Sequence, residues 1–261
     1  MPTCKSCGKF FFSKAKLDNN GRCQSCAKKA IDREEKARIF LERKRNEFQS
    51  FMDKAEKVDI VLSSDYFPKG RFRDMPEIKF STITKRNFKE SFNRFVCIDV
   101  ETTGLFAGRD KIIELSAVYF EDFSPCRYVS TFVNPNKDIP KEAIDIHGIT
   151  NDMVSESPKI EEILPFVKDF VGALPLVGHN LSFDMKFLYK EGLNLFVPKH
   201  KLYDTLQLSK KVYKDEYGYS LKDMMNLLSV YPPKSHRSLY DSFCVGILFL
   251  NIIDEIMDNY C

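Results

Sequence analysis

Hydrophobic positions change their spacing along the chain, and the change separates an N-terminal helix from a compact domain. Residues 27–57 contain no glycine or proline and are rich in lysine, arginine and glutamate. Their apolar residues recur at roughly helical spacing, which predicts a long, exposed, basic helix. These apolar positions are Ile31, Ala37, Phe40, Leu41, Phe48, Phe51, Met52 and Ala55. Residues 58–91 mix charged residues with proline and glycine and are predicted to form a connector, with a short strand at Asp59–Leu62.

Short apolar runs replace the helical pattern in the second part of the chain. Three of them, Phe95–Val100, Ile112–Phe120 and Tyr128–Val133, are joined by short turns and predict an antiparallel meander. Two further strands are predicted at Leu174–Val177 and Lys201–Tyr203, where strands alternate with helices. The predicted helices begin after Pro158 and at Ser182–Gly192, Asp204–Tyr213, Leu221–Val230 and Ser238–Tyr260. This order predicts an α/β fold, a mixed five-stranded sheet flanked by helices.

Composition excludes two broad classes of protein. Of the 261 residues, 43% are hydrophobic and 30% are charged, which excludes wholesale disorder. No run approaches ~18 apolar residues, so we expect no membrane-spanning helix and no membrane partner. The N-terminus has no apolar signal core, so we expect a cytoplasmic protein.

Charge is distributed unevenly between the two parts of the chain. Residues 1–91 contain 22 lysines and arginines and 13 acidic residues, a net charge of +9, whereas residues 92–261 have a net charge of −6. Basic segments favour anionic partners such as nucleic acid. A charged helix exposed to solvent is an equally good explanation of the charge alone. We hypothesise that the N-terminal part recruits nucleic acid, with docking on a protein as the alternative.

Four of the eight cysteines lie in the first 26 residues, in the spacing C-x2-C-x15-C-x2-C. Without a secretion signal, paired cysteines are more often metal ligands than disulfides, and this spacing is typical of a zinc site. Four thiolates complete a tetrahedral site for one structural Zn²⁺, whereas unligated or redox-active thiols are the alternative. The predicted ligands of this zinc-binding head are Cys4, Cys7, Cys23 and Cys26.

Carboxylates occur where predicted strands end and predicted helices begin. Asp99 and Glu101 lie two residues apart at the end of a strand, so both side chains point to the same face. Asp184 follows the fourth strand, at the edge where open sheets tend to bind ligands. Asp241 lies near the start of the final helix. Because five helical residues span about 500°, His236 would not share a helix face with Asp241 and is placed in the preceding loop.

Four carboxylates meeting at one point would repel one another unless cations lay among them. Oxygen ligands select Mg²⁺ or Mn²⁺ over zinc, and two such ions about 3.5–4 Å apart support phosphoryl chemistry. A nearby histidine can accept the proton of an attacking water, because histidines titrate near neutrality. The sequence therefore predicts a two-metal site with a histidine base.

Three motifs carry these residues: DVETTG at 99–104, HNLSFD at 179–184 and HRSLYD at 236–241. In this order they resemble the signature motifs of the DEDDh exonucleases. That family includes the proofreading subunit of bacterial DNA polymerase III and has an RNase H-like fold. The segments IHGIT at 146–150 and DTL at 204–206 also look like features of the family.

The resemblance covers about residues 92–261 and implies an exonuclease domain there. It implies that two Mg²⁺ or Mn²⁺ ions are held by Asp99, Glu101, Asp184 and Asp241, and that His236 is the general base. The implied reaction is hydrolysis of the terminal phosphodiester at the free 3′ end of DNA or RNA, releasing nucleoside 5′-monophosphates. The implied substrate contacts are Thr102, Thr103, Gly104, Leu105, His147, Asn180 and Phe183.

Several of these positions have structural alternatives. His147 precedes a glycine and is also explained as an ordinary turn residue, and Phe183 is also explained as core packing. His179 is predicted to be a hydrogen-bonded structural histidine. Asp204 is predicted to cap a helix rather than to bind metal.

Three functions are open on the sequence alone: a DNA exonuclease, which is favoured, an exoribonuclease of the same fold, and a non-catalytic nucleic-acid-binding or docking protein. A polymerase or a replication clamp is a candidate protein partner. Gly192–Phe196 has the spacing of a clamp-docking peptide, although core packing is favoured for it. The expected organisation is a zinc-binding head at 1–30, a basic helical arm at 31–57, a connector at 58–91 and the exonuclease domain at 92–261.

Overall fold

The computed structural model describes residues 3–7, 18–62, 75–84, 92–196, 200–213 and 218–258 of the chain. It divides the chain into two compact units, Met1–Glu47 and Phe48–Cys261. The predicted end of the last helix, at Tyr260, lies outside the described residues.

The first unit contains the four-cysteine segment and most of a long helix, α1 (Gln24–Met52). The prediction of a long helix in this region is therefore confirmed. Its described side chains are largely exposed, and even Ile31 is 65% exposed. Arg38 pairs with Glu35 one turn earlier at 2.8 Å, an exposed ion pair of the kind that contributes little to stability.

The second unit is built on a six-stranded mixed sheet. The strands are β1 (Glu56–Lys57), β2 (Arg94–Thr102), β3 (Ile112–Glu121), β4 (Ser124–Phe132), β5 (Leu176–Gly178) and β6 (Leu202–Asp204). Their spatial order is β1-β4-β3-β2-β5-β6. The β2–β3–β4 meander is antiparallel, and β5 and β6 run parallel to β2. This confirms the predicted α/β fold.

The expected count of five strands was wrong, because the two-residue strand β1 pairs with the edge of β4. The predicted short strand at Asp59–Leu62 was also misplaced. The backbone N–H of Val58 donates the last hydrogen bond to Tyr128, and Val61 and Leu62 beyond it are 72% and 52% exposed. Ile60 is half-buried against the core, but the segment forms no strand in the structure.

Seven helices follow the sheet's first strands among the described residues. Two of them, α2 (Lys141–His147) and α3 (Asn151–Val154), were not predicted, because seven and four residues are too short to show a helical period. The helix after Pro158 begins at Ile160. The predicted capping box of Ser220 and Asp223 is confirmed. The bounds are α2 (Lys141–His147), α3 (Asn151–Val154), α4 (Ile160–Val171), α5 (Ser182–Lys190), α6 (Thr205–Val212), α7 (Leu221–Leu227) and α8 (Ser238–Asp258).

Alternation along β2 sends its side chains into two different cores. Val96 and Ile98 join the cluster that includes residues of α4 and α5, whereas Cys97 joins the cluster that includes residues of α8. The same alternation places Asp99 and Glu101 on the side of the sheet that faces α8. The sheet thus presents both carboxylates towards the helix that carries the third motif.

Close packing brings α8 onto the sheet. A Cβ at Gly246 would collide with the ring of Phe120, so only glycine permits this approach. The end of α1 adds to the same core, where Phe48 and Met52 are buried. Along the far edge, the backbone N–H of Ser81 donates to Leu202 at 2.7 Å, so part of the connector lies against β6.

The segment that suggested clamp docking is part of the core. Leu193 and Leu195 are 1% and 2% exposed and belong to the cluster beneath the sheet. They therefore offer no apolar side chain to a partner, as the core alternative predicted. No helix in the described part of the chain is both long and apolar enough to cross a membrane.

Candidate active site

Four buried or half-buried carboxylates converge at the C-terminal end of β2. Asp99 and Glu101 lie on the strand, Asp184 lies in the first turn of α5 and Asp241 in the first turn of α8. The backbone N–H of Val100 donates to Asp184 Oδ1 at 3.1 Å and ties α5 to the strand. Residues separated by up to 142 positions in the chain are thus brought to one pocket.

Burial and mutual repulsion disfavour the charged forms of these groups. Desolvation is the main cause in each case. It raises the pKa of Glu101 to about 8, that of Asp184 to about 8 and that of Asp241 to about 7. The pKa of Asp99 lies well above its usual range, because the residue is buried beside the other three carboxylates. The four carboxyl groups of this pocket therefore cannot all ionise readily unless positive charge lies among them.

His236 approaches the same carboxylates from the loop before α8, as its position in the motif predicted. Ligand atoms of Glu101, His236 and Asp241 all lie within 4.8 Å of one another. The histidine side chain is exposed and its backbone is left-handed, with φ of 55°. This leaves an imidazole accessible to solvent at the rim of an acidic pocket.

The donor set fits divalent cations. It is dominated by carboxylate oxygens, which Mg²⁺ and Mn²⁺ prefer, and the repulsion among them would be relieved by positive charge. Asp99, Glu101, Asp184 and Asp241 are the residues that would hold such ions.

A fifth carboxylate, Glu114, lies next to this group and was missed by the sequence analysis. It is 1% exposed and accepts hydrogen bonds from Arg237 and from the backbone of Ser238. The signal was present as the one acidic residue within the apolar run Ile112–Phe120. Such a residue inside a buried strand requires a partner, and only the fold shows which one.

The loop after β2 presents large apolar side chains to solvent. Leu105 and Phe106 are 75% and 61% exposed. The buried carboxylate of Asp110 braces the loop by accepting a hydrogen bond from the Phe106 backbone and from the guanidinium of Arg109. Arg109 also stacks on the Phe106 ring at 4.3 Å. A Cβ at Gly104 would collide with Asp110, which explains the glycine in the motif.

His147 is buried at the end of α2 rather than placed in an open turn. Its Nδ1 accepts a hydrogen bond from the backbone N–H of Ile149 at 3.0 Å, so Nε2 carries the proton in the neutral ring. That Nε2 is buried and has no hydrogen-bond partner of good geometry in the described residues, although the Thr102 backbone lies near it. Burial lowers the pKa of His147 and favours this neutral donor.

The second motif divides into structural and exposed positions. His179 Nε2 donates to the carbonyl of Tyr219 at 2.9 Å, and its Nδ1 contacts Thr205, as predicted for a structural histidine. Asn180 is exposed in a left-handed conformation, with φ of 63°. Half-buried Phe183 packs against Phe187 at 4.8 Å between ring centroids, which favours the core alternative. Asp204 caps α6, as expected.

The four N-terminal cysteines form a second, separate cluster. Their sulfur atoms all lie within 4.8 Å of one another. The backbone N–H of Cys23 lowers the pKa of Cys4 to about 6, whereas hydrogen bonds with Cys7 and Cys23 raise the pKa of Cys26 to about 12. Four converging sulfurs fit a tetrahedral Zn²⁺ site.

Comparison with known proteins agrees with this geometry. The family profile of the RNase T exonucleases matches residues 96–249, more than half of the chain. The chain belongs to this exonuclease family. The match covers all four clustered carboxylates and His236, and family membership implies metal-dependent catalysis.

Relatives of this chain include much longer proteins. DNA polymerase III PolC-type of Bacillus subtilis is 32% identical over 168 residues, and that of Staphylococcus haemolyticus is 34% identical over 178 residues, which cover 63% and 67% of this chain. The 3′-5′ exonuclease DinG of Bacillus subtilis is 34% identical over 62% of this chain. The chain spans 12% of the length of the two polymerases and 18% of DinG.

Solved structures share the fold. Exonuclease X in complex with 5′ overhanging duplex DNA superposes with a TM-score of 0.51 and 28% identity, covering 61% of this chain and 91% of that chain. The nuclease domain of 3′hExo, a DEDDh family member bound to rAMP, gives a TM-score of 0.52 over 65% of this chain and 94% of that chain. At 20% identity, the second likeness shows the fold alone.

In the absence of cations, the protein is expected to lose stability as pH rises from about 4 to about 8. Ordinary carboxylates ionise near 3.8, whereas Asp184 in the fold ionises at about 8, so the folded chain binds protons that the unfolded chain has released. Bound protons favour the folded state only below these raised pKa values. Thermal unfolding with EDTA, followed by circular dichroism, should give a lower Tm at pH about 8 than at pH about 5.

Adding a divalent cation and replacing Asp184 test the same electrostatic explanation. Mg²⁺ or Mn²⁺ should raise Tm more at the higher pH, where the carboxylates are ionised. Asp184→Asn should flatten the pH dependence in EDTA, because it removes one of the raised groups. A Tm in EDTA that climbs over this pH range would contradict the electrostatic picture of the pocket.

Proposed function

We propose that residues 92–261 form a 3′–5′ exonuclease that hydrolyses terminal phosphodiester bonds of nucleic acid, with DNA as the favoured substrate, and releases nucleoside 5′-monophosphates. The observation that carries this proposal is the convergence of Asp99, Glu101, Asp184 and Asp241 in one pocket with His236 at its rim. The polymerase and DNA-bound relatives support DNA rather than RNA.

The four carboxylates would hold two divalent cations, which when bound would place positive charge beside the scissile phosphate and lower the pKa of a water molecule. His236 is positioned to accept the proton of that water on its imidazole. Water oxygen bonds to phosphorus and the bond from phosphorus to the 3′ oxygen of the shortened strand breaks. The released nucleotide therefore keeps the phosphate.

Substrate contacts are proposed for the loop after β2 and for two exposed or unpaired groups nearby. The backbone around Thr102, Thr103 and Gly104 would cradle the terminal nucleotide together with the Leu105 side chain. The Thr103 N–H is not one of the free donors, because it donates to the Lys111 carbonyl at 2.8 Å. The unpaired Nε2–H of His147 is a donor for a substrate oxygen. Asn180 is exposed and belongs to the same motif as Asp184, whereas Phe183 is proposed as a contact only through its half-exposed edge.

The reaction is tested with matched DNA and RNA oligonucleotides that carry a 5′ label and a defined 3′ end. We expect a ladder of products shortened from the 3′ end in Mg²⁺ or Mn²⁺, release of 5′-monophosphates, and no digestion in EDTA. Faster digestion of RNA would favour the exoribonuclease alternative. Binding of either strand without digestion would favour the non-catalytic alternative.

The exposed apolar side chains of the loop predict a measurable stacking contribution. Base stacking on an aromatic side chain is worth about 1–3 kcal/mol per base, so Phe106→Ala should raise KM about tenfold, with a smaller change in kcat. Leu105 offers apolar contact without stacking, so Leu105→Ala should raise KM less. Phe123→Ala is the matched control, because Phe123 is 53% exposed in the turn between β3 and β4. Equal KM values for all three variants would exclude this loop as a substrate surface.

We further propose that the N-terminal part binds one structural Zn²⁺ through Cys4, Cys7, Cys23 and Cys26 and recruits nucleic acid through α1. In this proposal the chain consists of a head at 1–30, an arm at 31–57, a connector at 58–91 and the nuclease at 92–261. A cytoplasmic location, where thiols stay reduced, belongs to the same proposal. A polymerase is a proposed partner because related domains occur within polymerases.

Recruitment by α1 predicts a salt-dependent affinity. Lys28, Lys29 and Lys36 are exposed on this helix. Changing all three to glutamine should weaken binding to duplex DNA and reduce the slope of log Kd against log salt by up to about 0.9 for each lost phosphate contact. Binding is measured without Mg²⁺, Mn²⁺ or EDTA, so that the DNA stays intact and the proposed Zn²⁺ is not removed.

The control changes three exposed lysines of the acidic nuclease domain to glutamine: Lys141, Lys159 and Lys168. This control variant should keep the slope of the unmodified chain. Identical slopes for both triple variants would remove the nucleic-acid role of the helix and favour protein docking.

A further inference from the structure

Glu114 faces the catalytic carboxylates across two paired strands. In the β2–β3 ladder it is the direct partner of Glu101, so both side chains lie on the side of the sheet that faces α8. Two like charges at directly opposed positions destabilise a sheet. The Glu114 side chain is only 2% exposed, so water does not screen its charge.

Arg237 supplies the compensating charge. Its Nη2 lies 2.6 Å and its Nε 2.9 Å from Glu114 Oε1, and the Ser238 backbone N–H donates to Oε2 at 2.9 Å. The guanidinium also lies 5.0 Å from the ring centre of Phe132, the other strand partner of Glu114. A planar guanidinium held by a carboxylate and an aromatic ring has few alternative orientations.

The residues held by this ion pair lie between the two catalytic groups of the third motif. Arg237 directly follows His236, whose backbone is left-handed, a conformation that persists only when the surroundings enforce it. The backbone N–H of Asp241 donates to the carbonyl of Arg237 at 3.0 Å. A second contact joins Ser238 to Ser116 on β3 at 2.6 Å between hydroxyl oxygens.

We infer that Glu114 and Arg237 are positioning residues, which fasten the start of α8 to β3 so that His236 and Asp241 meet Glu101. The inference rests on the proposed exonuclease function and adds two residues to it. The carboxylates on the strand and on the helix are far apart in the chain, so only noncovalent contacts can keep them together. Their mutual repulsion would separate them, and this ion pair is the described contact that opposes it with charge.

Kinetics of isosteric variants test the inference. Glu114→Gln and Arg237→Met should each lower kcat about 10–100-fold while KM changes less than about threefold, because the substrate loop is untouched. The double variant should lose no more activity than the poorer single variant, since the two residues act as one unit. Arg237→Lys should retain more activity than Arg237→Met.

Glu191→Gln provides the matched control. Glu191 is a similarly buried carboxylate, 7% exposed, that pairs with Lys111 at 3.0 Å outside the proposed machinery. This control should keep kcat within about twofold of the original chain. An equal loss of kcat in Glu191→Gln and Glu114→Gln would show a general loss of stability rather than positioning.

A measurement on the metal-free protein separates this inference from the proposed function. Hydrogen exchange in EDTA should become about tenfold faster at the amides of residues 238–241 in Arg237→Met, but not in Glu191→Gln. Unchanged exchange combined with a lower kcat would overturn the positioning role. If the original chain digests no nucleic acid, the proposed function fails, and the exchange rates still decide whether the ion pair fastens α8.

Discussion

Replacing Asp99 by alanine is expected to lower kcat for 3′-end hydrolysis by at least about 10³-fold, which corresponds to about 4 kcal/mol in the activation free energy. Asp184→Asn should have an effect of similar size. Both residues are buried among other carboxylates. A carboxylate in such a position destabilises the folded state unless it binds a cation. Steady-state digestion of an end-labelled oligonucleotide in Mg²⁺ or Mn²⁺ gives the rates.

Stability distinguishes this loss of catalysis from misfolding. Either substitution removes a repulsive carboxylate, so Tm in EDTA at pH about 8 should stay equal or rise. Asp254→Ala, an exposed change on α8 outside the pocket, should leave both Tm and kcat unchanged. Undiminished turnover in both Asp99→Ala and Asp184→Asn would refute the two-metal mechanism.

His236→Ala is expected to lower kcat about 10²–10⁴-fold, the range for a lost general base. Its imidazole lies within 4.8 Å of ligand atoms of Glu101 and Asp241, so it is close enough to affect either proton transfer or metal binding. Titration with Mn²⁺ separates the two roles. A proton acceptor predicts unchanged Mn²⁺ affinity, together with partial recovery of the rate when free imidazole is added.

Loss of Mn²⁺ affinity in His236→Ala would instead make the histidine a ligand. His236→Gln is the companion variant, because it keeps a polar side chain of similar length but cannot accept the proton at neutral pH. Comparable rates for His236→Gln and the original chain would exclude the general-base role.

The meander, the last helix and the four-cysteine cluster could be predicted from sequence, because each is marked by a pattern of residues that lie close together in the chain. Runs such as Phe95–Val100 are short and almost continuously apolar, which is typical of a strand buried on both faces. The extra strand β1 and helix α3 could not be predicted, because two and four residues carry no measurable period. Their pairing depends on distant segments, such as Tyr128 for the residues after β1.

Sequence also identified the carboxylates but not the contacts that arrange them. Glu114 and Arg237 were missed because their importance comes from a strand register and a helix docking, neither of which is encoded at short range. Phe106 was missed because its exposure, rather than its type, makes it a candidate substrate contact.

The sequence by itself determined which chemical groups this protein has: four acids and a histidine in three ordered motifs, and four cysteines in two pairs. Only the tertiary structure decided that Asp99 and Asp241 share a pocket and that Arg237 neutralises the neighbouring Glu114. The physical reason is how far along the chain each property extends. Side-chain chemistry and strand alternation are local properties, whereas electrostatic repulsion and desolvation depend on groups brought together from across the chain.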